Sequence, residues 1–174
     1  MRRMKLLRPS TPLARSYGDK FETTFGQSES AIRLLCEKFP DNRTYESVLL
    51  KSIVINTLYA TQIRAIIPVA QHIVGLEIDD RLRQGDPTLV DDIALLTVKG
   101  KTRRNYSFAT KYCSFHNPSA YPIYDGFVDR LLNEYQKVGR FSSLPLGDLR
   151  DYRRFKEVLA RIIHELRICS LSLR

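Results

Sequence analysis

From Ser28 onward the chain places apolar residues at helical spacing. The stretch SESAIRLLCEKF opens with Ser and Glu and sets Ile32, Leu35 and Phe39 three and four residues apart, which predicts a helix. After PDN, the run RTYESVLLKSIVINTLYATQI carries Val48, Leu49, Ile53, Ile55 and Leu58. That apolar face is broad and predicts a long, nearly buried helix. RAIIPVAQHIVG predicts a further helix, bent or restarted at Pro68 and stopped by Gly75. EIDDRLRQG reads as a short helix ending at Gly85, and DPTLVDDIALLTV starts with Asp86 as N-cap and Pro87 at the first helical position.

Lys99, Gly100 and Lys101 break this pattern. TRRNYSFATKYCSFH resumes helical spacing with Tyr106, Ala109, Tyr112 and Cys113, and NPSAYP is a loop. DGFVDRLLNEYQKV puts Phe127, Val128, Leu131, Leu132 and Tyr135 on one face. After GRFSSLPLG, a last helix over DLRDYRRFKEVLARIIHEL turns Leu149, Phe155, Leu159, Ile162 and Leu166 inward. No segment alternates with period two, so the expected fold is all-α, a compact helical domain with short connections. Residues 1–26, with scattered Arg, Pro and Gly, read as a basic irregular N-terminal arm before a single helical domain over 27–174. The closing CSLSLR reads as a cap and the start of another helix, as in a domain truncated at its C-terminus.

Composition narrows the partners. With 43% hydrophobic and 27% charged residues in 174, the chain is globular and not disordered. A net charge of +9 favours an anionic partner, nucleic acid before membrane. The sequence has no basic amphipathic helix of the kind that adsorbs to acidic lipid, no apolar leader and no run of membrane-spanning length. Cys36, Cys113 and Cys169 are too far apart for a CxxC metal site or a disulfide framework and read as buried thiols. His72 and His164 are isolated, and His116 reads as a loop or capping residue. A cytoplasmic monomer without metal or cofactor is expected.

Two segments carry candidate chemistry. In LLTVKGKTRRNYSF, Lys99, Lys101, Arg103 and Arg104 surround Gly100. A tight turn feeding a helix N-terminus presents free N–H groups to a phosphate, while the plainer reading is a solvated basic loop. In AYPIYDGFVDRLL, Asp125 precedes an apolar-periodic helix. It is either an N-cap or the working carboxylate of a site, and the helix dipole favours its anion in both cases.

YPIYDGFVDRLL resembles the segment of helix-hairpin-helix base-excision DNA glycosylases that holds their catalytic aspartate. It is similar to the Phe-Pro-Ile-Leu-Asp-Gly-Asn-Val run of the adenine-mismatch branch. NPSAYPIYD resembles the Pro-x-Ala-x-Pro-Val-Asp run of the 8-oxoguanine branch, with one extra residue before Asp125. SIVINTLYATQIRAIIPVAQHI looks like the buried helix pair of that family, and GKTRRNYSFATKY resembles the lysine-bearing helix of divergent 8-oxoguanine glycosylases. The resemblance spans roughly Val48 to Tyr135 and sets TVKGKTRR, with its single glycine, in the place of a degenerate hairpin.

What the resemblance implies is excision of a damaged or mispaired base from double-stranded DNA, by hydrolysis or by imine chemistry at the N-glycosidic bond. The imine route would bring weak lyase activity. Asp125 would be the catalytic carboxylate, with Lys101 or Lys111 as nucleophile. Lys99, Gly100, Arg103, Arg104 and Asn105 would contact DNA, and Asn56 would lie near the gap left by a flipped base. Phe115, Tyr121 and Tyr124 would supply stacking surfaces in the base pocket. Matching through NPSAYP sets Asn105 where bifunctional members carry their lysine, with Lys101 one turn before and Lys111 six residues after.

Each residue also has a plainer role. Lys111 can run its stem along apolar surface to water, and Lys101 is a phosphate contact. Asn56 can be a satisfied core amide, and Tyr59 and Tyr135 read as core. The whole chain can also be a non-catalytic DNA-binding module of the same fold, or a basic helical protein-interaction domain.

Overall fold

The computed structural model describes Leu7, residues 10–139 and residues 149–165. Leu166, Cys169, the terminal CSLSLR stretch, most of the first nine residues and the connection 140–148 lie outside the described residues. The elements run α1 (Thr11–Lys38), α2 (Tyr45–Leu58), α3 (Ile66–Gly75), α4 (Asp79–Gln84) and α5 (Thr88–Ala94). A hairpin of β1 (Leu95–Val98) and β2 (Lys101–Arg104) follows, then α6 (Tyr106–His116), α7 (Gly126–Gly139) and α8 (Tyr152–Glu165).

The fold is mostly helical but not all-α. At the predicted basic turn the chain forms an antiparallel hairpin, pairing Leu95 with Arg104 and Val98 with Lys101. Lys99 (φ 49°) and Gly100 (φ 72°) both adopt left-handed backbone, the arrangement of a two-residue hairpin turn that continues the strand twist. Strands of four residues are too short to display alternation in sequence.

A second correction concerns the N-terminal arm. Residues 11–26 are part of α1, a 28-residue helix capped where Ser10 Oγ accepts from Leu13 N–H at 3.3 Å. Its buried positions begin only at Gly26, followed by Glu29, Ile32 and Cys36. Leu13, Tyr17, Phe21 and Phe25 recur in the first half of α1 at every fourth residue, an apolar period that does mark a helix, but Tyr17, Phe21 and Phe25 stand exposed and not against the core.

The core gathers Val48 and Ile55 of α2, Val69 and Ile73 of α3, Leu89 and Ile93 of α5, and Tyr152 and Phe155 of α8 around α6. Of the eleven residues of α6, eight are buried, Lys111 among them. One turn is fastened by hydrogen bonds: fully buried Lys51 donates to Phe39 O, Asp41 O and Asn42 Oδ1 at 2.7–2.9 Å. All three ammonium protons are thereby satisfied. Among the described residues no helix is long and apolar enough to cross a membrane.

Candidate active site

The loop into α7 is pinned to α6 side by side. Thr110 Oγ1 donates to Tyr124 O (3.0 Å) and accepts from Tyr124 N–H (3.2 Å). Tyr152 Oη donates to Pro122 O at 2.9 Å from the other side. Thr110 precedes Lys111 and Tyr124 precedes Asp125, so this exchange sets the next pair of side chains facing each other.

Lys111 Nζ stands 3.6 Å from Asp125 Oδ2, an ion pair longer than a hydrogen bond, with side-chain exposures of 3% and 37%. Lys111 Nζ also donates to Ser107 Oγ at 2.7 Å and sits 5.2 Å from the centre of the Tyr59 ring. Burial pulls the Lys111 ammonium below the ordinary lysine value, and the Asp125 charge pulls it partly back up. A lysine so placed is nearer to the neutral amine, the nucleophilic form. Asp125 has two jobs at once. Its Oδ1 accepts from Phe127 N–H (2.9 Å) and Val128 N–H (3.0 Å), capping α7, while Oδ2 is turned to Lys111.

These groups line an open cleft of about 640 Å³ between the turn after α2 and the start of α7. Gln62, Phe127 and Arg130 border it. Tyr59, half-buried and packed against the core as its sequence context predicts, also forms part of this wall. Its hydroxyl donates to Glu29 of α1, whose carboxyl is raised above the ordinary glutamate value by burial and lowered again by Arg33. Phe127, 59% exposed, is the open aromatic at the mouth.

The other predicted site residues divide. Lys101 is exposed on β2 and lines a neighbouring groove with Lys99, Arg103 and Asn105, so it does not meet Asp125. The Gly100 turn does not feed a helix N-terminus, because β2 intervenes; Asn105 stands at the N-terminus of α6 and makes no capping bond through its side chain. Arg104 points to the opposite face of the hairpin. It binds Asp91 Oδ1 and Arg150 O at 2.5 Å and lies 4.8 Å from the Tyr106 ring centre.

The Asn56 amide is engaged within its own turn. Its Oδ1 accepts from Thr61 Oγ1 (2.7 Å) and Ile63 N–H (2.9 Å), and its Nδ2 donates to Ile63 O (3.1 Å). It is the satisfied amide that shapes the turn after α2. Tyr121 and Tyr124 are buried in the core, Tyr121 Oη donating to Arg81 O and Asp86 O, and Tyr124 Oη to Asp129. Neither offers a stacking face. Phe115 is half-buried and packs edge-on against Tyr59, 5.8 Å between centroids.

Sequence reasoning missed Gln62. It is exposed, holds left-handed backbone (φ 58°) and lines both the Lys111 cleft and the groove under the hairpin. Ala60 in the same turn is also left-handed (φ 47°). Such strain in non-glycine residues persists where surrounding bonds enforce it, here those of Asn56.

A family model described as an N-terminal domain, HI_0787_N, matches residues 13–120. The chain belongs to the HI_0787_N family. It is 43% identical over 142 residues to an uncharacterized protein of Haemophilus influenzae, a match covering 81% of this chain and 68% of the relative. No solved structure matches the chain. The HI_0787_N match takes in Tyr59, Gln62, the hairpin and Lys111, and it ends five residues before Asp125.

Proposed function

We propose that this HI_0787_N protein is a DNA-processing enzyme of the base-excision type, acting at C1′ of a nucleotide drawn out of the duplex. The observation that supports it most is the meeting of Lys111 and Asp125 in one cleft, a buried amine against a half-open carboxylate. Both are candidates from sequence, on different elements; buried Lys51 is tied up in a turn, whereas buried Lys111 borders an open cleft beside a carboxylate.

In this reading Lys111 Nζ, as the neutral amine, forms a bond to C1′ while the C1′–N bond to the base breaks. The base leaves with that electron pair and takes up a proton. The proton shed by Nζ passes to Asp125 Oδ2, whose charge also stabilises the cationic sugar as it develops. Opening of the sugar ring, with protonation of O4′, leaves an imine on Lys111. Where the amine is not engaged, the same carboxylate orients a water for hydrolysis. Extrusion costs a few kcal/mol of unstacking, which phosphate contacts at Lys99, Lys101 and Arg103 offset. Gln62 takes the gap-filling role that Asn56 cannot. A cytoplasmic setting, where DNA and reduced thiols coexist, belongs to this proposal.

The test is a panel of duplexes carrying oxidised, deaminated, alkylated or mispaired bases, or an abasic site. Base release or strand cleavage by the wild type, lost in Asp125→Asn and Lys111→Gln with folding intact, is the expected result. Equal activity in both variants sinks the proposal. Binding without turnover on every duplex leaves the DNA-binding module as the better account.

A further inference from the structure

The hairpin register puts Leu96 opposite Arg103 and Val98 opposite Lys101, so these four side chains share one face. That face looks across a groove of about 350 Å³ to the turn carrying Gln62, Ile63, Arg64 and Ala65. The volume lies within the range of small-ligand sites. The floor is aliphatic, with Leu96 and Val98 half-buried, and the rim is cationic: Arg64, Lys99, Lys101 and Arg103. Among the described residues no acidic side chain lines it. Half-buried Asn105 adds an amide at the wall. An apolar slot with a cationic rim matches a flat ring tethered to an anion, which is the chemistry of a nucleotide.

Gln62 lines this groove and also the Lys111 cleft, so the two openings flank one exposed, strained residue. When one nucleotide of a pair leaves the stack, the base opposite loses its hydrogen-bonded partner and is held only by stacking within its own strand. We infer that the groove under the hairpin receives that unpaired opposite base, while the rim cations hold its phosphates. Gln62 stands between the two displaced bases. Asn105 presents donor and acceptor to the edge of the captured base. This rests on the reading of the Lys111 cleft as a DNA site, and adds that the protein everts both members of a pair.

The test uses a duplex with 2-aminopurine opposite a tetrahydrofuran abasic analogue and a distant anisotropy label. Because the groove is aliphatic, 2-aminopurine leaving the stack gains fluorescence and is not quenched by a new aromatic neighbour. The expected result is a several-fold rise on saturation by the wild type and by Lys111→Gln. Val98→Arg fills the groove and adds one positive charge, so it should bind at least as tightly but without the rise. Ala65→Phe, on the opposite wall, should do the same and serves if the hairpin variant misfolds. Binding by the wild type without a rise overturns the inference but leaves the Lys111 chemistry standing. A rise undiminished in both groove variants also overturns it. Absence of any low-salt binding by the wild type overturns the inference together with the DNA reading.

Discussion

Asp125 caps α7 with one carboxylate oxygen and faces Lys111 with the other, Oδ2 to Nζ 3.6 Å. Cap and catalyst are therefore not rival readings of this aspartate. Helix geometry fixes one oxygen, and that fixes where the second points.

The two jobs separate by substitution. Asparagine is as good an N-cap as aspartate, so Asp125→Asn should keep the cap and lose less than about 1 kcal/mol, the half-exposed carboxylate's attraction for the Lys111 ammonium. Asp125→Ala should lose roughly 1–2 kcal/mol, because the bonds from Phe127 and Val128 go. Urea denaturation measures both. Activity should be lost in each, so a stable, inactive Asp125→Asn marks the chemical role.

Lys111 should set a pH profile. Its value is depressed by burial, so the amine fraction rises with pH and reaches half below the ordinary lysine value of 10.5. Imine trapping should rise in that window. Removing the Asp125 charge withdraws the main influence that favours the ammonium, so the midpoint in Asp125→Asn should move to lower pH, whatever happens to the rate. Stability responds in the opposite sense. The unfolded chain binds the proton more readily, so burial of Lys111 costs stability at any pH below 10.5. Lys111→Met should accordingly raise stability by about 1 kcal/mol at neutral pH, a trade of activity for stability.

The hairpin should divide by face. Each neutralised phosphate contact among Lys99, Lys101 and Arg103 should lower the slope of log affinity against log salt by about 0.9. Arg104→Gln should leave that slope unchanged. It should instead lower stability by about 1 kcal/mol, through loss of its bonds to Asp91 and Arg150 and its packing on Tyr106. Fluorescence anisotropy between low and moderate salt, with urea melts, checks both.

How much of this is legible in sequence depends on what each signal rests on. α6 and α7 follow from periodicity and from the Asp125 start signal, because their apolar faces meet the core. The hairpin escapes a sequence reading since Leu95–Val98 also continues the apolar period of α5, and Lys-Gly is a weaker turn signal than Asn-Gly. Tyr121 and Tyr124 mislead because an aromatic beside a catalytic candidate looks the same in sequence whether it faces the cleft or the core. Lys111, six residues out of register with the expected lysine position, is decided only by the Thr110–Tyr124 exchange, a contact between residues fourteen apart. Gln62 carries no pattern at all; its exposure comes from a turn that Asn56 holds.

The central claim is that Lys111 and Asp125 act together on a deoxyribose C1′. The most direct measurement is borohydride reduction of the protein with duplexes carrying a lesion or an abasic site, followed by mass spectrometry of the trapped peptide. The account predicts a covalent adduct on Lys111, absent in Lys111→Gln and much reduced in Asp125→Asn. An adduct on Lys101 with Lys111 unmodified, or no adduct and no base release on any duplex, would contradict it.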